Sequence, residues 1–348
     1  MQKLKTYLFK LTLALAIVTL IQKPTLSQNS RTKTNFDKDW RFHLGHFSNP
    51  DKDFNYGLTN LFYKSGSAVN TAIDPKFVDS SWTKLNLPHD WVVALPFVKS
   101  EDAHVESHGF KPVGGQFPET SIGWYRKHFS LTPADSGSRY SIQFDGIYRD
   151  ANVWINGFYL GNNKSGYLGA SYDITDFLNF HKDNVIVVRV DASQYEGWFY
   201  EGAGIYRHVW LNRYQNAHIQ EDGIFAYSEI TGNKANVKVE TTFKNEDYKS
   251  DNLTITSYLL DRNGKVVAKS PEQAFTLKAQ EEKTAIQAIS TVNPRLWSLE
   301  DPYLYKVKIE LKSQGKVVDQ QQFRFGIRSI DIKPNGVFVN GKHVKILG

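Results

Sequence analysis

The densest group of side chains that could do chemistry is Tyr195-Glu196-Gly197-Trp198-Phe199-Tyr200-Glu201, where two carboxylates sit among four aromatic rings. Sugars present hydroxyls and apolar C–H faces, so a saccharide site needs flat aromatics beside carboxylates or amides. Glu196, Trp198, Tyr200 and Glu201 are therefore candidate substrate contacts, with packing at a domain interface as the competing reading. Retaining glycoside hydrolysis would need two carboxyl groups held about 5 to 5.5 Å apart across the scissile bond. Two acids five positions apart in an aromatic loop more often serve turns or hydrogen bonds, so no catalytic residue is assigned.

Other constellations carry less. Lys111-Pro112-Val113-Gly114-Gly115-Gln116-Phe117-Pro118 is rich in Gly and Pro and reads as a mobile surface loop. His104 and His108 flank Glu106, but the segment has no helical pattern and no HExxH match, so it reads as a solvated loop and no metal ligand is assigned. Gly202 and Gly204 do not complete GxGxxG, and neither a phosphate loop nor a GxSxG turn is present. No cofactor is implied. The absence of cysteine excludes a disulfide scaffold, a zinc-thiolate site, a thiol nucleophile and a cysteine-linked lipid.

The elements that position these residues read as strands. The 348 residues are 41% hydrophobic and 14% aromatic, with 24 Gly and 12 Pro, a balance that favours strands and turns over long helices. Tyr140–Phe144 and Ala151–Ile155 are short strand-like runs punctuated by Asp145-Gly146 and Asn156-Gly157, and Asn184–Val190 is a near-continuous apolar run suited to a sandwich core. Between Tyr56 and Phe97, prolines interrupt any long element, and Trp82, Trp91 and Phe97 are expected to pack that region onto a sheet. From His218 the period of two returns: Val237, Val239, Thr241 and Phe243 share one face, and Leu253, Ile255 and Leu259, then Val307, Ile309 and Leu311, repeat the pattern. Such strands over about 110 residues suggest an immunoglobulin-like sandwich ending near Ile330. Val337–Val339 lies between two Asn-Gly turns, and Val344–Leu347 reads as the start of a further strand whose apolar faces need partners.

Lys3 and Lys5 precede the eleven-residue apolar run Leu11–Ile21, too short for a span of about 20 residues, and Thr25 and Ser27 are small residues ahead of Gln28. Residues 1–27 are expected to be a secretory signal. They hold four lysines and no acid, so the formal charge of +6 falls to +2 without them. The remaining chain mixes both signs, which disfavours nucleic acid and anionic membranes as partners, and no second hydrophobic segment follows.

Several ordered runs resemble one family. Gly123-Trp124-Tyr125-Arg126-Lys127-His128-Phe129, the stretch from Phe144 to Gly157 that begins Phe144-Asp145-Gly146-Ile147-Tyr148-Arg149-Asp150, and Gly202-Ala203-Gly204-Ile205-Tyr206-Arg207-His208-Val209-Trp210-Leu211 resemble the sugar-binding domain of family 2 glycoside hydrolases, the bacterial β-galactosidase group. Asn293-Pro294-Arg295-Leu296-Trp297-Ser298, Asp301-Pro302-Tyr303-Leu304-Tyr305 and Phe325-Gly326-Ile327-Arg328 resemble the immunoglobulin-like domain that follows in that family. Phe338-Val339-Asn340-Gly341-Lys342 and Ile346-Leu347-Gly348 resemble the entrance to its catalytic barrel.

The resemblance implies an all-β chain: a signal at 1–27, a galactose-binding-like jelly-roll sandwich at 28–217, an immunoglobulin-like sandwich at 218–330, and at 331–348 the start of a (β/α)8 barrel that would need roughly 250 more residues. The family's two catalytic glutamates lie in that barrel, so neither carries over to any position here. In some members the loop corresponding to 195–201 helps hold the sugar, although this sequence does not match their acidic residue position for position. The expectation is a non-catalytic N-terminal part of an exported β-galactosidase-like hydrolase, periplasmic or secreted, whose partner is a β-galactoside-like carbohydrate, with homo-oligomer formation left open. A free-standing carbohydrate-binding protein and a structural or adhesion sandwich are the alternatives.

Overall fold

The computed structural model describes residues 31–46, 71–99, 109–194 and 202–346. They form two consecutive β-sandwiches and a small terminal sheet. The first, a jelly roll, holds β1 (Thr32–Asn35), β2 (Trp40–Leu44), β3 (Thr83–Leu85), β4 (Ile122–Ser130), β5 (Arg139–Phe144), β6 (Ala151–Ile155), β7 (Phe158–Asn163), β8 (Ala170–Asp173), β9 (Asp183–Asp191) and β10 (Val209–Tyr214). One of its sheets runs β3-β2-β4-β9-β6-β7, and the facing sheet runs β1-β10-β5-β8. The immunoglobulin-like sandwich holds β11 (Ala217–Thr231), β12 (Lys234–Asn245), β13 (Asp251–Leu260), β14 (Val266–Lys269), β15 (Gln273–Leu277), β16 (Glu282–Val292), β17 (Tyr305–Ser313) and β18 (Lys316–Phe325). Its sheets run β11-β12-β16 and β14-β13-β17-β18, with β15 also paired to β13. The last sheet is the antiparallel meander β19 (Ile330–Lys333), β20 (Gly336–Val339) and β21 (Lys342–Val344).

The apolar run of β9 is continuous because its sheet is covered on both faces. Ile186, Val188 and Val190 join Tyr125, Val153 and Ile155 in the core between the two sheets. Val185 and Val187 point the other way, into a second layer with Trp124 and Trp154, which is closed by Ala72, Ile73 and Trp82. Residues 72–82 thus act as a lid over the outer face. Arg126 of β4, fully buried, holds it there: Nε donates to Asp79 Oδ2 at 2.9 Å, and the guanidinium also donates to the carbonyls of Ala72, Asp74 and Phe77. His128 Nε2 lies 2.9 Å from the same carboxylate oxygen. Burial alone would raise Asp79, but the hydrogen bonds from Arg126 and His128 outweigh it and hold the carboxyl below its usual range.

The structure alters three expectations. Asp145-Gly146 is not a hairpin turn: β5 pairs with β10 and β8 while β6 pairs with β7 and β9, so residues 145–150 cross between sheets. Asn156-Gly157 is a true two-residue turn, with φ of 50° and 87°. Trp82 and Trp91 are buried as expected, whereas Phe97 is 65% exposed, with the Lys111 ammonium 4.4 Å from its ring centre. The strand expected over Val344–Leu347 is also displaced, because Val344 closes β21 and Lys345 and Ile346 continue outside any strand.

Two residues, Gln215 and Asn216, separate β10 from β11, and side chains clasp the sandwiches across this junction. Arg31, just before β1, pairs with the fully buried Asp319 of β18 at 2.9 Å and donates to the Ile219 carbonyl. Asp319 also accepts from the Ile219 amide at 2.8 Å. Arg139 of β5 reaches Glu246 at 2.7 Å, and Ser171 of β8 donates to Glu221.

The lid gives a first test. Asp79→Asn leaves the Arg126 cation buried without its counter-ion and is expected to cost about 3 kcal/mol of unfolding free energy. His128→Gln, at a partly exposed position, is expected to cost about 1 kcal/mol or less. Urea unfolding followed by tryptophan fluorescence separates the two, and equal effects would contradict this role for Arg126. Because the folded pKa of Asp79 is depressed, its contribution is complete above about pH 4 and is lost as pH falls through the folded value.

Candidate functional site

Glu196, Trp198, Tyr200 and Glu201 lie outside the described residues, as do His104, Glu106 and His108. The chain on either side of 195–201 is described, and both sides are pinned at one end of the first sandwich. On the incoming side, Asp191 closes β9: its amide donates to the Arg149 carbonyl at 3.0 Å and its Oδ2 pairs with Arg189 at 3.1 Å. Asp191 Oδ1 accepts from the Ser193 amide and hydroxyl, and the Ala192 amide donates to the Ser121 carbonyl at 2.8 Å.

On the outgoing side, the Ala203 amide donates to Asp90 Oδ1 at 3.0 Å, and the Trp91 amide donates to the Ala203 carbonyl at 3.1 Å. The His89 amide reaches the Ile205 carbonyl at 2.8 Å, and Gly204 exchanges two backbone bonds with Tyr148. Gly204 has φ +125°, and a Cβ there would lie 2.5 Å from both the His89 carbonyl and the Tyr125 hydroxyl. Only glycine lets this stem pass so close.

The Lys111–Pro118 segment shares this end. A Cβ built on Gly115 would lie 3.7 Å from the Ser193 carbonyl, which places the segment against the incoming stem. The reading of a mobile loop gives way to a tethered one. The Lys111 ammonium donates to the Val93 and Leu95 carbonyls. Gly114 and Ser121 are joined by two hydrogen bonds at 2.8 and 3.0 Å, and Thr120 Oγ1 donates to the Pro112 carbonyl. Trp91 Nε1 donates to the Thr120 carbonyl at 2.8 Å, so the indole under the outgoing stem also fixes this segment. The structure therefore brings the Lys111–Pro118 segment against the described stem that leads into 195–201.

Sequence reasoning missed the group at the outgoing stem. Asp90 Oδ1 accepts from the Val92 amide at 3.0 Å, capping the short helix Trp91–Ala94, as well as from Ala203. The available signal was an aspartate directly before an apolar run, the ordinary N-cap pattern. His89 Nδ1 lies 2.8 Å from the Tyr125 hydroxyl. Burial pushes His89 below its usual value, with the Asp90 charge opposing, and burial pushes Tyr125 far above its own. Both groups are thus neutral near pH 7. Asp90, His89 and Tyr125 orient the outgoing stem, and no group of three or more His, Asp or Glu among the described residues is placed to hold a metal ion.

A jelly roll with the Lys111–Pro118 segment and the stems that flank 195–201 at one end, followed by an immunoglobulin-like sandwich, has known counterparts. The model for the family 2 glycosyl hydrolase sugar-binding domain matches residues 69–215, and a second model for glycosyl hydrolases family 2 matches residues 217–328. The chain belongs to glycosyl hydrolase family 2. This family 2 chain is 33% identical over 321 residues to the β-galactosidase BoGH2A of Bacteroides ovatus, covering 91% of the chain and 34% of that protein. It is 30% identical to a β-glucuronidase of Formosa agariphila, covering 93% of the chain and 32% of that protein. Among solved structures, a family 2 β-glucuronidase superposes with a TM-score of 0.77 at 28% identity, covering 92% of the chain and 33% of that structure. A family 2 member from Bacteroides cellulosilyticus gives 0.75 at 31% identity, covering 90% and 37%. The chain spans about a third of the length of the curated relatives it matches. No helix among the described residues is long and apolar enough to cross a membrane.

The stem geometry yields two expected outcomes. Gly204→Ala should lower stability by about 2 kcal/mol or more in thermal unfolding, from overlap and backbone strain together. The His89 ring should titrate by NMR below the ordinary histidine value of about 6.5, and Asp90→Asn should lower the midpoint further by removing the opposing anion. A midpoint above the ordinary value would contradict the buried neutral ring. With His89 held neutral, folding loses stability as pH falls below about 6.5, where the unfolded chain takes up the proton first.

Proposed function

We propose that the chain is the non-catalytic N-terminal part of an exported β-galactosidase-like glycoside hydrolase, whose jelly roll shapes one wall of a saccharide site. The observation that carries this reading is the succession of the two family 2 matches over residues 69–328, in a chain about a third as long as relatives named as β-galactosidases and β-glucuronidases. The convergence of the Lys111–Pro118 segment with both stems of 195–201 supports a saccharide-facing end, to which Glu196, Trp198, Tyr200 and Glu201 would contribute. The ligand is a β-galactoside-like glycan. The lysines and apolar run within residues 1–27 support export, with a mature chain starting at Gln28.

The pinned loop stems also favour a second reading, in which the chain binds carbohydrate by itself without hydrolysing it. One assay addresses both. The purified chain is incubated with chromogenic β-galactoside and β-glucuronide, and binding of the corresponding unreactive glycosides is measured by calorimetry. No turnover is expected. Turnover that is abolished in Glu196→Gln or Glu201→Gln would overturn the non-catalytic assignment. Saturable galactoside binding that is lost in Trp198→Ala favours the binding protein, and a preference for the glucuronide reassigns the ligand class.

A further inference from the structure

The junction between the sandwiches contains a titratable group that the sugar-facing end does not use. His218, the second residue of β11, is 6% exposed, and its Nδ1 lies 3.1 and 3.2 Å from the carbonyl oxygens of Gln215 and Asn216. Carbonyls only accept, so Nδ1 carries the proton and Nε2 is the nitrogen left to titrate. The imidazole centroid lies 4.4 Å from that of the Tyr214 ring, and the Arg31 guanidinium lies 4.8 Å from the same ring. Arg31 is also the residue that ties the start of the first sandwich to Asp319 and Ile219 of the second. One aromatic ring thus stands between the junction's clasping cation and a buried histidine.

The charged groups around this ring are Arg31 ahead of β1, Glu246 after β12, Asp319 in β18 and Lys244, the cross-strand partner of His218 in β12. Glu246 is itself paired with Arg139 of β5 and with Lys244, and Asp319 with Arg31. Burial pushes Tyr214 up to about 12, so its hydroxyl stays neutral across the physiological range. For His218, burial disfavours the cation first. The Arg31 charge adds to it, while Glu246 and Asp319 oppose, and the net direction is downward. A second proton would create an imidazolium in a nearly dry pocket with Arg31 close by. An arrangement that hydrates the ring relieves this, and parting the sandwiches at Gln215-Asn216, whose carbonyls hold the ring, would supply one.

We propose that His218 makes the junction an acid-sensitive latch, in which the neutral imidazole keeps the two sandwiches clasped through Arg31 and protonation favours an unclasped arrangement of two intact sandwiches. The latch changes the angle between the sugar-facing module and whatever follows it, without unfolding either.

The full chain is examined from pH 7.5 to 4.5 by small-angle scattering and by hydrogen exchange corrected for intrinsic rates. The wild type should expand reversibly. The Ile219 amide should lose protection by about tenfold per pH unit, the slope of one linked proton, while Val188 and Val239 stay protected. His218→Gln keeps a donor for the two carbonyls and cannot charge, so it should abolish the transition. A wild type that stays compact to pH 4.5, the same transition in His218→Gln, or loss of Val188 and Val239 protection together with Ile219 would each overturn the latch. If His218→Gln does not fold, the His218 titration in the wild type decides: its NMR midpoint must coincide with the onset of Ile219 exchange.

Discussion

The first sandwich depends on one constraint, which is that β4 and β9 are covered on both faces. A strand buried on both sides cannot alternate apolar and polar residues, and its charged members need internal partners. Arg126 is such a member. It faces the lid fully buried, and the lid answers with Asp79 and three backbone carbonyls. The same demand explains why a proline-broken stretch such as 71–82 is ordered against the sheet: its carbonyls satisfy the guanidinium while Ile73 and Trp82 close the apolar layer. With β4 and β9 fixed, the ends of those strands become fixed points, and Ser121, Asp191 and Ala192 hold the incoming stem of the 195–201 loop against them.

Function is positional in this arrangement. The described end of the sandwich gathers backbone hydrogen bonds, a capping aspartate and two neutral ring groups, and together these fix the stems on either side of 195–201. Saccharide binding relies on such preorganisation, because each hydroxyl contact is weak when the protein group that makes it must first be ordered. The Asp90 contact joins the 89–92 turn to Ala203 and so removes freedom from the outgoing stem, while the Ser121 contacts do the same for the Lys111–Pro118 segment.

What was legible in the sequence follows from the range of the signal. The period of two in Val237 to Phe243, and the Asn156-Gly157 and Asn340-Gly341 turns, are local, and they appear as β12 and as tight hairpins. The two-sandwich order was legible because several motifs agreed along the chain. Asp145-Gly146 misled because a turn dipeptide shows that the chain bends and says nothing of which sheet it enters next. Phe97 misled because aromatic content alone does not fix a face, and this ring stays exposed with the Lys111 ammonium against it. The Lys111–Pro118 segment was read from its Gly and Pro content, while its order comes from Thr120, Ser121 and Trp91, whose contacts arise only on folding. Asp90 carried a local cap signal, but its second role needs a partner 113 residues away, which no window on the sequence can show.

The Arg31 to Asp319 pair also sets an order of events. Its partners are 288 residues apart, and β1 beside it pairs with β10, so the leading strand has almost no local contacts to form early. Closing such a loop is slow relative to local hairpins. At ribosomal rates of about 5 to 20 residues per second, the jelly roll waits on the order of several seconds after β10 emerges before Asp319 appears. During that interval β1 can dock on β10, but Arg31 has no carboxylate to meet. The first module is therefore finished by the second, and the leading edge is locked only once the immunoglobulin-like sandwich has closed β18 onto β17.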